Sequence, residues 1–336
     1  METRKAQITG RSTYVISLPK SWVNKVQINK GDSLGMIPRS DGTLLIKPKI
    51  TEQGEKLNEQ LTKNITVETQ DIEEFIREFI GVYLAGYNTI DINFKKPFSK
   101  NMRQYIRELS HSVTGPEIID ESMNSVTVKD LLDASDFSII KGVKRMYIIT
   151  RGMYMDAINS FDEKDKEITA DVESRDYDVD KINWLISKQF NLILKDIFFA
   201  DKMGVKPQEA LNYLLTARSI ERIADHAVRF SDNTKKIKQK TIIDKEIVEI
   251  GGQILEIFDG AINAMFRKDT KNAHEIIRKS KKNHAFIEKL RQEILKIKSN
   301  DIVTIVSLIY ILDSLDRTRG YTENIAEIGI NNYFVS

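Results

Sequence analysis

Beyond residue 128, apolar residues recur every three or four positions. Before it they alternate or gather in short runs. The spacing predicts six long helices, at about 129–163, 166–199, 207–235, 243–268, 271–298 and 301–330. They divide into two sets of three, and Pro207 is the one proline among them. The third helices of the two sets align best, with Ala217-Arg218-Ser219-Ile220-Glu221-Arg222 opposite Leu312-Asp313-Ser314-Leu315-Asp316-Arg317. A repeat of about 95–110 residues is too long for a solenoid unit, so the pattern predicts two tandem three-helix bundles, 129–236 and 243–333.

Residues 60–128 alternate in type. Ile65-Thr66-Val67 and Ile90-Asp91-Ile92-Asn93-Phe94 read as strands. Phe75, Ile76, Ile80 and Leu84 fall at helix spacing over 71–84. Ser99 is a candidate N-cap for a helix to about Leu109, and strand-like pieces follow at Ile118-Ile119 and 126–128. This predicts a small α/β segment. Residues 1–52 read as short strands: 5–9, 13–18, then 33–39 and 43–47 pairing around Asp41-Gly42, a hairpin signal. A single short helix opens at Pro19, and 28–32 forms a turn. Such a unit has few large apolar side chains and is expected to dimerise. The fold class expected is thus multidomain and mainly α: β-rich head, small α/β segment, two bundles.

Composition narrows the chemistry. The 336 residues contain no Cys, which excludes disulfides, thiolate metal sites and Cys nucleophiles. The charged start has no apolar run of signal-peptide type, and the longest apolar stretch, 302–312, is about half of the roughly 20 residues a membrane span needs. A cytoplasmic protein without membrane insertion is expected. Net charge is +2, yet residues 1–50 hold nine Lys/Arg against three Asp/Glu, and the remainder 42 against 46. A basic head on an acidic body points to a polyanionic partner for the head. Arg4, Lys5, Arg11 and Lys20, with Lys25, Lys30, Arg39, Lys47 and Lys49, are available to phosphates.

On the helices, Glu221 and Asp225 stand one turn apart inside a stripe with Leu214, Ala217, Ala224 and Val228. Asp176 and Asp180 repeat the spacing on the preceding helix. Two readings stand. The acids can pair locally, Arg218 with Glu221, Arg222 with Asp225 and Asp225 with Arg229. Or four carboxylates converge as an oxygen-ligand site for a hard cation. His226 lies on the next spoke and lacks a paired motif. No phosphate-binding Gly-rich loop, Walker-type Lys or nucleophile elbow is present, and the single Glu-x-x-His, Glu108 to His111, falls short of a di-iron bundle. With four His and no Cys, an enzyme is not expected.

The order Tyr14-Val15-Ile16-Ser17-Leu18-Pro19-Lys20-Ser21-Trp22 followed by Lys30-Gly31-Asp32 resembles the AbrB/SpoVT swapped-hairpin family over about residues 3–50. That likeness implies an intertwined dimer that binds DNA through basic residues of its hairpins. The stretch Arg218-Ser219-Ile220-Glu221-Arg222-Ile223-Ala224-Asp225-His226-Ala227 resembles the third-helix signature of PhoU, a phosphate-uptake regulator of two three-helix bundles, and the likeness covers about 127–333. It implies multinuclear iron or zinc on Asp176, Asp180, Glu221 and Asp225. In the second bundle Asp316 keeps the first acid, Gly320 replaces the second, and His284 and Glu288 stand where acids are expected, so metal is expected mainly in the first. The combination resembles an archaeal arrangement of phosphate regulators. It implies a homodimeric regulator of phosphate uptake and phosphate homeostasis, with DNA, a phosphate ABC transporter or a sensor kinase as partners. The alternative is a cytosolic adaptor gating a phosphate transporter, its head only dimerising.

Overall fold

A computed structural model describes residues 2–38, 42–48, 61–67, 72–95, 100–163, 167–296 and 301–335. It divides into two compact units, residues 1–59 and 60–336.

The first unit holds two antiparallel hairpins. Strand β1 (Gln7–Thr9) pairs with β2 (Thr13–Val15), and β3 (Gly35–Pro38) with β4 (Leu44–Lys47). Helix α1 (Lys20–Lys25) follows Pro19. The strands are shorter than the sequence predicts, and Lys5 lies ahead of β1 rather than in it. Gly10 turns the first hairpin at φ +68°, where a side chain would be strained. Asp41 and Ser99, the expected turn and cap residues, lie outside the described residues, as do Arg39 and Lys49.

The second unit starts with a four-stranded sheet in the order β5-β6-β8-β7. Strand β5 (Thr62–Val67) runs parallel to β6 (Thr89–Phe94), while β8 (Ser125–Asp130) is antiparallel to β6 and to β7 (Pro116–Glu121). Alternation turns Ile65, Val67, Ile90, Ile92, Val126 and Val128 inward against α2 (Ile72–Leu84) and α3 (Lys100–Ser112). Of α2, Phe75, Phe79 and Tyr83 are fully buried; Ile76, Ile80 and Leu84 pack at the margin.

The helical body begins later than expected. Lys129 still pairs with Thr89 and Glu117, and Asp133 caps a 3-10 turn at 134–136. Helix α4 therefore runs Ile139–Glu163, not from 129. The expected helix 166–199 is two: α5 (Glu167–Lys195) and α6 (Ile197–Met203). Asp196 breaks the helix in extended conformation and accepts from Phe198 N, and Gly204 closes α6 at φ +62°. Then come α7 (Pro207–Thr234), α8 (Asp244–Arg267), α9 (Thr270–Ile294) and α10 (Ile302–Val335). Helices α4, α5 and α7 form one bundle and α8, α9 and α10 the other, with one continuous core from Ile139 to Ile328.

Third helices α7 and α10 pack antiparallel: Asn212 bonds Asn332, His226 stacks on Tyr321, and Arg229 pairs with Asp313. Tyr147 and Arg151 of α4 both bond Asp259 of α8. The α/β segment is not a free module, because α5 serves both cores. Trp184 packs on the segment's core, Asn191 donates to Leu84 O, and Lys188 pairs with Asp130, both side chains only 5% exposed. Leu192 approaches Gly86 so closely that a Cβ there would lie 2.6 Å from it.

Candidate metal centre

Helix α7 opens with Pro207 at its first turn, and its inward stripe is rich in small residues: Ala210, Leu214, Ala217, Ile220, Ala224 and Ala227. Small side chains let α5 and α4 approach closely. Glu221 and Asp225 border this stripe on the side of α5, where Asp176 and Asp180 flank the buried Val172 and Val179.

All four carboxyls are partly buried and within electrostatic reach of one another. Burial first, then repulsion from Asp180, Asp225 and Glu221, pushes Asp176 up to about 7. Burial and Asp225 push Asp180 up to about 6. Burial and Asp225 push Glu221 up to about 7 against the opposing Arg222, and burial raises Asp225. Arg222 is the close counter-charge, 3.4 Å from Glu221 and 3.1 Å from Asp225. Asp176 Oδ1 is buried and has no hydrogen-bond partner. A hard or borderline cation fits this donor set: it would satisfy the orphaned oxygen and offset the repulsion that one guanidinium leaves.

Of the local pairs, Arg222 with Asp225 is present. Arg229 turns instead to Asp313 of α10 at 3.3 Å and stacks over Tyr310. His226 faces the other bundle. It stacks on Tyr321 at 5.9 Å, its Nδ1 is buried without a partner, and burial pulls it down to about 4.

The second bundle contains the tightest cluster. Among the described residues, the group of three whose ligand atoms lie within 4.8 Å of one another is His284, Glu288 and Asp316. Geometry alone therefore favours the bundle that the sequence places second. Electrostatics reverses this. His284 Nδ1 lies 2.9 Å and Arg319 Nε 2.8 Å from Asp316 Oδ1, and Arg291 pairs with Glu288 and reaches Asp316. Burial would raise Asp316, yet the bonds from Arg319 and His284 hold it below the usual carboxylate range. Arg319 also binds Glu323, which accepts from Ser280. Guanidiniums here supply the charge that the first bundle lacks. Sequence reading missed Arg291 and Arg319, although Arg319 sits three residues after Asp316 and four before Glu323, the spacing of helix pairs.

In the first unit, Arg4, Lys5, Arg11 and Lys20 are all exposed. Arg11 lies in the β1–β2 turn, Lys20 opens α1, and Arg4 pairs with Glu2.

Residues 143–234 and 247–329 match the family model described as PhoU domain. Residues 7–54 match one described as antidote-toxin recognition MazE, bacterial antitoxin, a MazE/AbrB-like domain. The fold is similar to the phosphate transport system regulatory protein PhoU from Streptococcus pneumoniae, with TM-score 0.51 and 15% identity, over 59% of this chain and 94% of that one. It is likewise similar to PhoU from Pseudomonas aeruginosa, with TM-score 0.53 and 18% identity, over 59% and 96%. No curated protein matches in sequence.

Proposed function

The chain belongs to the PhoU family, whose members are regulators rather than enzymes, and on that premise we propose that it regulates phosphate uptake and intracellular phosphate homeostasis from the cytoplasm. The observation that carries this is the joining, in one chain, of both PhoU-matched bundles to a separate compact unit with a MazE-type match and exposed basic residues. In this reading the head engages duplex DNA as a homodimer through Arg4, Lys5, Arg11 and Lys20. The helical body docks on a phosphate transporter or sensor kinase component. Asp176, Asp180, Glu221 and Asp225 hold iron or zinc, and the orphaned Asp176 Oδ1 supports that assignment. A metal held there would supply positive charge between α5 and α7, offsetting the repulsion among these four carboxyls.

Electrophoretic mobility of duplexes from the protein's own promoter and from phosphate-transport promoters tests the DNA arm. Binding should weaken with salt. Arg4→Ala with Lys5→Ala and Arg11→Ala should flatten the log–log salt slope by about 0.9 per lost phosphate contact. Unchanged affinity and slope would remove DNA from the reading. Ile8, Tyr14 and Ile16 are exposed in the single chain, which favours the adaptor alternative in that event, the head serving to dimerise.

A further inference from the structure

One end of the second bundle carries large apolar side chains turned to solvent. Helices α8, α9 and α10 alternate in direction: α9 residues 280 and 284 meet α10 residues 323 and 316, and Gly329 near the end of α10 packs on Met265 near the end of α8. The start of α8, the end of α9 and the start of α10 therefore share one end. There Ile242, Leu295 and Ile302 are exposed by 78%, 72% and 71%, and Val303 and Val306 by 56% and 42%. Isolated exposed apolar residues are ordinary, but five contributed by three neighbouring elements form a patch.

Lysines flank these positions along the chain. Lys236, Lys238 and Lys240 precede Ile242 and are exposed, as is Lys296 after Leu295. Asp301 caps α10 by bonding Thr304, and those bonds, with a smaller contribution from the Lys238 ammonium, hold its carboxyl low. This interaction sets the lysine-bearing connection beside the start of α10. Further along α10, Tyr310 and Asp313 meet Arg229 of α7, so that face is covered beyond the first turns. At 1.5 Å per residue the exposed apolar positions from Ile302 to Val306 span about 6 Å, within the roughly 5–10 Å that interfacial helices bury.

We propose that this end of the second bundle is a peripheral membrane-binding surface for an anionic bilayer. Ile242, Leu295, Ile302, Val303 and Val306 enter the headgroup–acyl boundary, while Lys236, Lys238, Lys240 and Lys296 meet anionic headgroups with their stems along the apolar patch. Projecting apolar tips ringed by flexible ammonium groups suit a deformable lipid surface better than a rigid protein groove. No described helix is long and apolar enough to cross a membrane, so the contact is superficial. The inference goes beyond the regulatory reading and stands without it.

The test is co-sedimentation of the full chain with extruded vesicles of phosphatidylcholine alone or mixed equally with phosphatidylglycerol. Expected is binding to the anionic vesicles that falls with salt, and little to the neutral ones. Ile302→Gln with Val306→Gln, and separately Lys238→Glu with Lys240→Glu, should each weaken it on the order of tenfold. The basic head is intact in both variants, so undiminished binding by both assigns the lipid to the head and overturns the proposal. A parent that stays in the supernatant overturns it too. Pelleting without vesicles that the apolar variant abolishes assigns the patch to a second copy and overturns it. Should the apolar variant misfold by circular dichroism, Ile302→Trp decides: brominated lipid in anionic vesicles must quench the added fluorescence, and absence of quenching refutes insertion.

Discussion

Replacing Asp176 with Asn should stabilise the metal-free protein at pH 8 and by less than half as much at pH 5. The carboxyl stands at about 7 in the fold against an unfolded value near 3.8. A raised value means that stability is present below about pH 4 and drains away as pH climbs toward 7. At about 1.4 kcal/mol per pH unit the charged form costs the fold about 4 kcal/mol at face value. The side chain is only partly buried, and solvent screening reduces this to about 2 kcal/mol. For a unit of this size that is about 3–5 °C in Tm. Asn keeps the shape, carries no charge, and can donate toward Asp180 or Glu221. Thermal melts followed by circular dichroism, in chelator, at both pH values, read the difference. Zinc or iron at 100 times its Kd should add about 2.7 kcal/mol to the parent at pH 7.5 and clearly less to the variant. A variant that melts lower than the parent by the same amount at pH 5 and pH 8, with the metal gain intact, refutes both the repulsion and the site.

Glu221→Gln with Asp225→Asn should abolish metal retention by elemental analysis after refolding with iron, zinc or manganese, whereas Asp316→Asn should leave it nearly intact. Arg319→Met strands Asp316 and Glu323 and should cost about 2–4 kcal/mol in denaturant unfolding; a loss under about 1 kcal/mol would show that Arg291 alone suffices. Lys188→Met leaves Asp130 buried and unpaired and should cost about 3–5 kcal/mol, with limited proteolysis attacking the α/β segment first. In the head, Ile8→Asp with Ile16→Asp should convert a sedimenting dimer of the full chain to monomer; a parent that is already monomeric at micromolar concentration counts against head dimerisation.

Much of this was legible in the chain. Period 3.6 located the long helices, and the i, i+4 acids on α5 and α7 do come within reach of each other. What escaped was long-range. Lys188, Asn191 and Leu192 read as ordinary helix residues, and only contacts 58 to 107 positions away reveal that α5 also holds the α/β segment. The break at Asp196 was written in local chemistry, an Asp N-cap and a Gly C-cap eight residues on. It was outweighed by apolar periodicity that runs through it. His284, Glu288 and Asp316 were legible as a set, but their charge balance was not: it depends on which arginines turn inward, and helix spacing alone does not say that Arg291 and Arg319 do.

The α7–α10 seam has a further consequence. The sequence register sets His226 opposite Tyr321, and in space these two rings meet. Each stands at the same place in its own bundle, so the seam has the pseudo-two-fold arrangement of an isologous contact within one polypeptide. The connection between α7 and α8 spans only residues 235–243, and a tether of that length holds the halves at an effective concentration on the order of millimolar. Association that is guaranteed covalently need not be tight. The seam can therefore keep an unpartnered imidazole nitrogen at its centre without the halves coming apart.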